Sequence, residues 1–116
     1  MRQPDLVRLR HMHRAASAAW DFVAGRERGH LDVDEMLQYA LVRAVEIIGE
    51  AANQISVEGR AELASFPWRE VIGMRHRLIH AYFDINLDIL WNTANDDIPA
   101  ILTQIEQFLK THAAQQ

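Results

Sequence analysis

The apolar residues between positions 36 and 55 constrain the fold of this chain more than any other stretch. Their spacings of three and four are the period of one face of an α-helix. They form a broad apolar stripe: Met36, Leu37, Ala40, Leu41, Ala44, Ile47, Ile48, Ala51 and Ile55. Asp32 or Asp34 can cap this helix, which we predict to run to about Gln54. Such a helix is roughly 30 Å long at 1.5 Å per residue. Because one side of it is apolar throughout, other helices must cover that side.

Gly49 lies inside this predicted helix, where glycine costs about 1 kcal/mol relative to alanine. We therefore expect another helix to approach closely at that point. Glu46 and Glu50 lie one turn apart on one face of the helix. These two carboxylates are candidates to orient a cationic site residue from a neighbouring helix.

Segments on either side predict further helices of the same kind. The first is predicted from Asp5 to about Ala24, with its apolar face at Leu6, Leu9, His13, Ala16, Trp20 and Val23. A charged connector, residues 26–30, follows it. After the long helix, Ser56 caps a short helix that reaches about Phe66. The three tryptophans fall on apolar faces and are predicted core residues: Trp20, Trp68 and Trp91.

Two more helices complete the predicted bundle. Pro67 starts one of them, and the segment Gly73–Phe83 is predicted to form its last two turns. Asp84 or Asn86 caps the final helix, in which Pro99 should cause a kink or a split. No segment shows the alternation of a strand. The sequence therefore predicts an all-α fold, an up-and-down bundle of four to five helices, with stripes on the second and last helices wide enough to form a homodimer.

Composition narrows the class of protein. The 116 residues suffice for a single domain, residues 1–116, with fraying expected after Lys110 over residues 111–116. The chain has no cysteine, which excludes disulfides and thiolate metal sites and makes a reducing cytoplasm the expected location. It has no run of about 18 apolar residues, and no apolar core follows the first residues, so neither a membrane span nor a secretory signal is expected.

The charges are unevenly distributed along the chain. The net charge of −4 argues against binding nucleic acid by bulk attraction alone, although a local basic cleft is compatible with it. Residues 69–80 contain three Arg and two His against one acid, whereas residues 84–106 contain five acids and no Lys or Arg. RNA would avoid the acidic pair Asp96 and Asp97, which suits contact with a protein partner instead.

The reactive side chains are concentrated around Arg75 and His80. Arg binds phosphate through a planar fork that keeps its charge at neutral pH, and His exchanges a proton near neutrality. Together they suit cleavage of a phosphodiester whose neighbouring 2′-hydroxyl is the nucleophile, as in RNA. His80 would act as the general base, and Arg75 would stabilise the charge of the transition state. His76 and Tyr82 would position the phosphate.

These residues also have plainer interpretations. His80 could be a hydrogen-bonded histidine at a helix end, and Tyr82 could be a half-buried packing ring. Arg75 could form a salt bridge with Glu46 or Glu50. On an ideal helix Arg75 and His80 are about 140° apart. Arg75 would therefore have to reach around the helix, the helix would have to change pitch near His80, or the two groups would meet a substrate from two sides of a groove.

Two further features of the segment, the Arg77 side chain and the spacing of His76 and His80, are assigned no role. Arg77 is expected to be a solvated charge. His76 and His80 have the spacing of two zinc ligands, but the sequence supplies no third ligand. No metal and no other cofactor is therefore predicted.

Three segments resemble the HepT-like family of the HEPN superfamily, whose signature is Arg, four to six residues, then His. The signature is matched by Arg75 and His80, with Tyr82 two residues further on. The resemblance extends over Ile47–Ala52, over the lead Phe66–Arg75 and over the exit His80–Ile85, and it covers about residues 5 to 110. Where the family usually has Asn after the signature Arg, this chain has His76, so the helper group at that position differs.

The resemblance implies a helical homodimer with a metal-independent endoribonuclease site near the dimer cleft. Arg75 and His80 would be the catalytic residues. Tyr82 would be the tyrosine that a partner antitoxin, a minimal nucleotidyltransferase, modifies by adenylylation. Such proteins are the toxin halves of two-gene toxin-antitoxin modules of the type VII kind.

Two hypotheses follow, from different classes. One is a toxin ribonuclease neutralised by a nucleotidyltransferase. The other is a non-catalytic helical module that binds nucleotide or the partner enzyme without cutting RNA. The intact set Arg75, His80 and Tyr82 favours the first, because a decayed relative would be expected to lose one of them.

Overall fold

Four long helices, α1, α3, α5 and α7, form the bundle in this computed structural model. It describes residues 1–81 and 84–114, without the side chains of His80, Ala81 and Ala114. The elements in chain order are α1 Gln3–Val23, α2 Arg28–Val33, α3 Glu35–Gln54, α4 Val57–Glu62, α5 Trp68–Leu78, β1 Ile79–Ala81, β2 Asp84–Ile85, α6 Leu87–Asn92, a π-helical turn Thr93–Asp97, and α7 Ile98–Ala114. The predicted all-α bundle is confirmed. None of the helices in the described ranges combines the length and hydropathy needed to cross a bilayer.

The central helix is α3, which packs against α1 and α5. Asp34 caps it as predicted, because its Oδ1 accepts a hydrogen bond from the Leu37 N–H at 3.0 Å. The expected close approach at Gly49 is confirmed, since a Cβ there would lie 3.4 Å from the carbonyl oxygen of Ile72. The largest fully buried side chains come from the four long helices and from the short helices α2 and α6: Leu9, Met12, Leu31, Leu41, Ile48, Met74, Leu78, Leu90, Ile98, Ile105, Val45 and Val71.

Several positions of the predicted apolar faces lie outside the buried core, most clearly Trp20 and Met36. Trp20 is 42% exposed, because the buried face of α1 also takes in Met12 and Ala19 and is therefore turned by about half of the 100° residue step from the predicted face. Met36 is 83% exposed, because it lies in the first turn of α3 on a side that faces away from the core. Trp68 and Trp91 are half-buried against the core.

A short helix, α2, replaces the predicted charged connector. Reciprocal hydrogen bonds between Glu27 and His30 form a capping box that stabilises its first turn. Arg28 then fastens α2 to the start of α6, with its Nη2 2.8 Å from Asp88 Oδ1. Ser56 caps α4 as predicted, although that helix ends at Glu62.

The helix that carries the candidate site ends earlier than predicted. We expected α5 to continue to Phe83, but it stops at Leu78, and Ile79 has extended dihedral angles, φ −117° and ψ 111°. The chain then forms β1 and β2, an antiparallel pair that the sequence did not predict, with Ile79 opposite Ile85. The Asn86 N–H donates to the carbonyl of Leu78 at 2.8 Å, and the Asn86 side chain caps α6.

A π-helical turn interrupts the final helix in front of Pro99, where the sequence predicted a kink or a split. Pro99 has no N–H to donate, and the chain in front of it widens into the π-helical turn Thr93–Asp97, where the Ile98 N–H bonds to the Thr93 carbonyl. Beyond the turn, α7 continues to Ala114. The fraying expected over residues 111–116 stays a prediction.

Candidate functional site

The last turn of α5 presents three cationic or titratable side chains to solvent, Arg75, His76 and Arg77. Val71, Met74 and Leu78 form the buried face of the same helix. Arg75 and Arg77 are about 200° apart around the helix axis. They therefore lie on different surfaces of α5: Arg75 faces α3, and Arg77 faces α7.

Arg75 lies beside Glu46 of α3. Its Nε is 3.8 Å from Glu46 Oε2, and Arg43 Nη1 lies 3.9 Å from the same oxygen. Both distances exceed those of a hydrogen bond, so Glu46 attracts the two guanidinium groups without binding either tightly. The Arg75 side chain is 49% exposed. Its N–H groups therefore remain available for an oxyanion from solvent.

Of the two carboxylates proposed from the sequence, only Glu46 contacts Arg75. Glu50 is exposed and takes part in none of the ion pairs found in the described ranges. The difference follows from the Gly49 contact, which brings α5 closest to the side of α3 that carries Glu46.

His80 is not part of the helix that carries Arg75. Its backbone belongs to β1, so the predicted angle of 140° about one helix axis does not apply. The side chain of His80 and the whole of Tyr82 lie outside the described residues. The backbone thus leaves α5 between the two signature residues, after Leu78.

A cavity of about 250 Å³ between α5 and the junction of the π-helical turn with α7 was not predicted. Arg77 lines it, together with Asp96 and Asp97. One local signal could have indicated it: Glu70, Met74 and Arg77 recur at spacings of four and three, which places them on one face of α5. Its other wall depends on the packing of α7 and could not be predicted from α5 alone.

Comparison with known proteins identifies relatives of this chain. A family model described as "Ribonuclease HepT-like" matches residues 12–108. The chain is 42% identical over 77 residues to "Probable ribonuclease HepT" of Thermococcus cleftensis, an alignment that covers 66% of this chain and 70% of the relative. It is 41% identical over 73 residues to "Putative RNase MJ1380" of Methanocaldococcus jannaschii, covering 63% of this chain and 67% of the relative.

A third relative gives the same result. The chain is 42% identical over 77 residues to "Putative RNase TTE0752" of Caldanaerobacter subterraneus subsp. tengcongensis, with 66% of this chain and 69% of the relative covered. No solved structure matches the chain. The family model extends from α1 to α7 and includes Arg75 and His80. On that match, the chain belongs to the ribonuclease HepT-like family.

Proposed function

We propose that this protein is an endoribonuclease that cleaves RNA through the 2′-hydroxyl group, with Arg75 and His80 as its catalytic residues. The observation that carries the proposal is the match of residues 12–108 to the ribonuclease family, because it includes both signature residues. The half-exposed guanidinium of Arg75, attracted by Glu46 at 3.8 Å but not bonded to it, supports the same assignment.

The proposed reaction is a transesterification. His80 takes the proton of the 2′-hydroxyl, whose oxygen attacks the adjacent phosphorus. Arg75 stabilises the negative charge that accumulates on the phosphoryl oxygens. The bond from phosphorus to the 5′-oxygen breaks, and that oxygen takes up a proton from an acid, for which His76 is the candidate. The products are a 2′,3′-cyclic phosphate and a 5′-hydroxyl, and no step requires a metal ion.

The protein would act as the toxin of a two-gene module in the cytoplasm. A minimal nucleotidyltransferase would neutralise it by transferring AMP to the hydroxyl of Tyr82, two residues after His80. The added phosphate would place a negative charge beside the groups that bind the RNA phosphate, and repulsion would then exclude the substrate.

The proposed enzyme is a homodimer. The outer side of α3 carries exposed apolar side chains, Met36 at 83% and Tyr39 at 60%, and Val33 at the end of α2 is 85% exposed. Large apolar groups left in solvent on one side of a molecule are typical of a partner interface. Arg43 and Glu46 lie further along the same helix, so an interface here would reach the surroundings of Arg75.

Cleavage of a labelled RNA in the presence of EDTA tests the catalytic assignment. We expect wild type to produce cyclic-phosphate ends. Arg75→Ala should reduce the rate by about 10²–10³-fold and His80→Ala by about 10²–10⁴-fold. Arg77→Ala is the matched control, because Arg77 lies in the same helical turn but serves the other surface of α5; its rate should stay close to wild type.

If purified wild type, shown by mass to be unmodified, cuts no faster than Arg75→Ala and His80→Ala, the protein is not a ribonuclease for the RNAs tested. The non-catalytic binding module is then the better hypothesis. Cleavage that disappears in EDTA and returns with a divalent ion would instead contradict the metal-independent step.

Incubation with ATP and a nucleotidyltransferase encoded beside the gene tests the modification. Wild type should gain the mass of one adenylyl group and lose cleavage, and Tyr82→Phe should gain none. Tyr39→Phe is the matched control, because Tyr39 is the other tyrosine of the chain and its hydroxyl already donates to Glu35 Oε1 at 2.8 Å. Modification of Tyr82→Phe but not of Tyr39→Phe would assign the site to Tyr39.

A further inference from the structure

The cavity between α5 and the π-helical turn has no role in the proposed reaction. Its floor is apolar and buried, formed by Val71, Met74 and Ile101. Three exposed carboxylates line it, Glu70, Asp96 and Asp97, against one guanidinium, Arg77. None of these four charged side chains takes part in the ion pairs found in the described ranges. We refer to this site as the acidic groove.

The outer face of α1 has the opposite character. Val7 is 38% exposed there, and Arg10, His11 and Arg14 are exposed beside it. Their spacings from Val7 are three, four and seven, so all four share one side of the helix. Of the two acids in α1, Asp5 is buried and Asp21 lies two turns beyond Arg14. We refer to this surface as the basic face of α1.

We propose that the basic face of α1 in one copy of the chain docks in the acidic groove of a second copy. Val7 would cover the apolar floor, and Arg10 and Arg14 would lie against the carboxylates of Asp96 and Asp97. The argument rests on matched character: each surface pairs a small apolar centre with charges that have no partner in the described part of its own chain, and the signs are opposite. Opposite potentials both steer two surfaces together and set their register.

This contact differs in symmetry from the proposed dimer. The two surfaces lie on different elements, so the contact is head to tail, and it builds an open chain or closes into a ring. The dimer through α3 would pair one surface with itself. RNA is the competing occupant for the basic face, because arginines also bind phosphate, but RNA does not account for a complementary groove on the same chain.

Sedimentation velocity over a range of protein concentrations tests the contact. Association should be present in about 0.01 M salt and be lost in about 1 M salt, where charges are screened beyond about 3 Å. Asp97→Lys should raise the concentration needed for half association by about tenfold or more, because it places like charges opposite each other. Glu58→Lys is the matched control: Glu58 is exposed on α4, outside the groove, and should leave association unchanged.

Mixing two charge-reversed chains gives the decisive result. One carries Asp96→Lys and Asp97→Lys, and the other carries Arg10→Glu and Arg14→Glu. Each chain alone has like charges on both surfaces and should not associate head to tail. In the mixture every groove again meets a face of opposite sign, so association should return. Circular dichroism of each chain verifies that it is folded.

The proposal is wrong if wild type does not associate at low salt, or if the mixture associates no better than its components. It is also wrong if Arg10→Glu with Arg14→Glu abolishes RNA binding while association is unchanged, since the basic face would then serve RNA. Because these residues lie outside the catalytic assignment, RNA cleavage by the variants is measured separately, and either proposal can fail without the other.

Discussion

At the scale of single residues, Asp5 links two helices that are far apart in sequence. The residue is buried, with an exposure of 5%. Oδ1 accepts from the Ser56 N–H at 2.9 Å, and the Ser56 hydroxyl donates to Oδ2. The same hydroxyl oxygen accepts from the Gly59 N–H at 3.0 Å and thereby caps α4. Asp5 thus holds the cap of α4 in place from α1.

The Asp5 carboxylate should make the stability of the protein depend on acid. The Ser56 hydroxyl, followed by the Ser56 N–H, lowers the pKa of Asp5 below its ordinary value, although burial opposes the shift. A lowered pKa in the folded state means that the stabilisation is complete above the unfolded value, about 3.9, and is lost as the pH falls through the folded value. Asp5→Asn should therefore reduce the free energy of unfolding by about 2 kcal/mol at neutral pH.

Urea unfolding of wild type and Asp5→Asn over a series of pH values measures this effect. The difference between the two proteins should shrink as the pH falls below about 4. Asp21→Asn is the control, because Asp21 is exposed on the same helix and is expected to have little effect at any pH. A difference for Asp5→Asn that is the same at every pH would show that the charge of the carboxylate does not matter.

Local caps could be predicted from the sequence, and the Asp5 link could not. Asp34, Ser56 and Asn86 each bond to an N–H three residues ahead, so the pattern lies within one short window. Asp5 and Ser56 are 51 positions apart, and only the packed bundle brings them together. The face of α1 was misplaced for the same reason, since packing against α3 and α7 selects Met12 over His13 for the core.

At the scale of elements, the contact between α3 and α5 determines where Arg75 lies. The sequence predicted both helices and the close approach at Gly49, because a glycine inside a helix needs a compensating contact. It did not predict the end of α5 at Leu78. Residues 79–83 are compatible with a helix, and the helix ends because β1 pairs with β2 and Leu78 accepts a bond from Asn86, contacts that form only when later residues fold back.

Gly49→Val should therefore disturb both stability and the site. A Cβ at Gly49 already lies 3.4 Å and 3.5 Å from the carbonyl oxygens of Ile72 and Val71, and the two methyl groups of Val would force α5 outwards. We expect a loss of about 1–3 kcal/mol in the free energy of unfolding and slower RNA cleavage, because Arg75 moves away from Glu46. Urea unfolding and the cleavage assay measure the two effects.

Gly73→Ala is the matched control for Gly49→Val. Gly73 lies within α5, and nothing is within 4 Å of a Cβ built there. Removing a helical glycine should raise the free energy of unfolding by up to about 1 kcal/mol. If Gly49→Val is as stable as wild type, the two helices are not as close as the structure has them.

At the scale of the whole molecule, the exposed apolar side chains and the acidic side chains lie on different surfaces of the bundle. The acidic character of residues 84–106 can be counted directly in the sequence, because it is a property of composition. The sequence placed Met36 in a broad apolar stripe, and a periodic stripe does not show which part other helices cover and which part is left for a partner. The folded chain leaves Met36 and Tyr39 exposed on α3, away from the acidic groove between α5 and α7. The two proposed assemblies can therefore be separated by mutation.

Met36→Glu should abolish the proposed dimer and leave the head-to-tail contact intact. A charge in the middle of an apolar interface loses its water on association, which costs far more than the lost side-chain packing. At high salt, where the head-to-tail contact is screened, wild type should sediment as a dimer and Met36→Glu as a monomer. RNA cleavage by Met36→Glu should fall by roughly tenfold or more, if the interface positions the groups around Arg75.

Val57→Glu and Asp97→Lys make the comparison specific. Val57 is an apolar residue of α4 with 79% exposure, close to that of Met36, so Val57→Glu controls for a new surface charge and should remain dimeric and active. Asp97→Lys should remain a dimer at high salt and lose only the association seen at low salt.

A dimer that survives Met36→Glu, or a wild type that sediments as a monomer at high salt, would show that the outer side of α3 is not the interface. Slow cleavage by a Met36→Glu chain that is still dimeric would instead indicate that this side of α3 contacts the RNA itself.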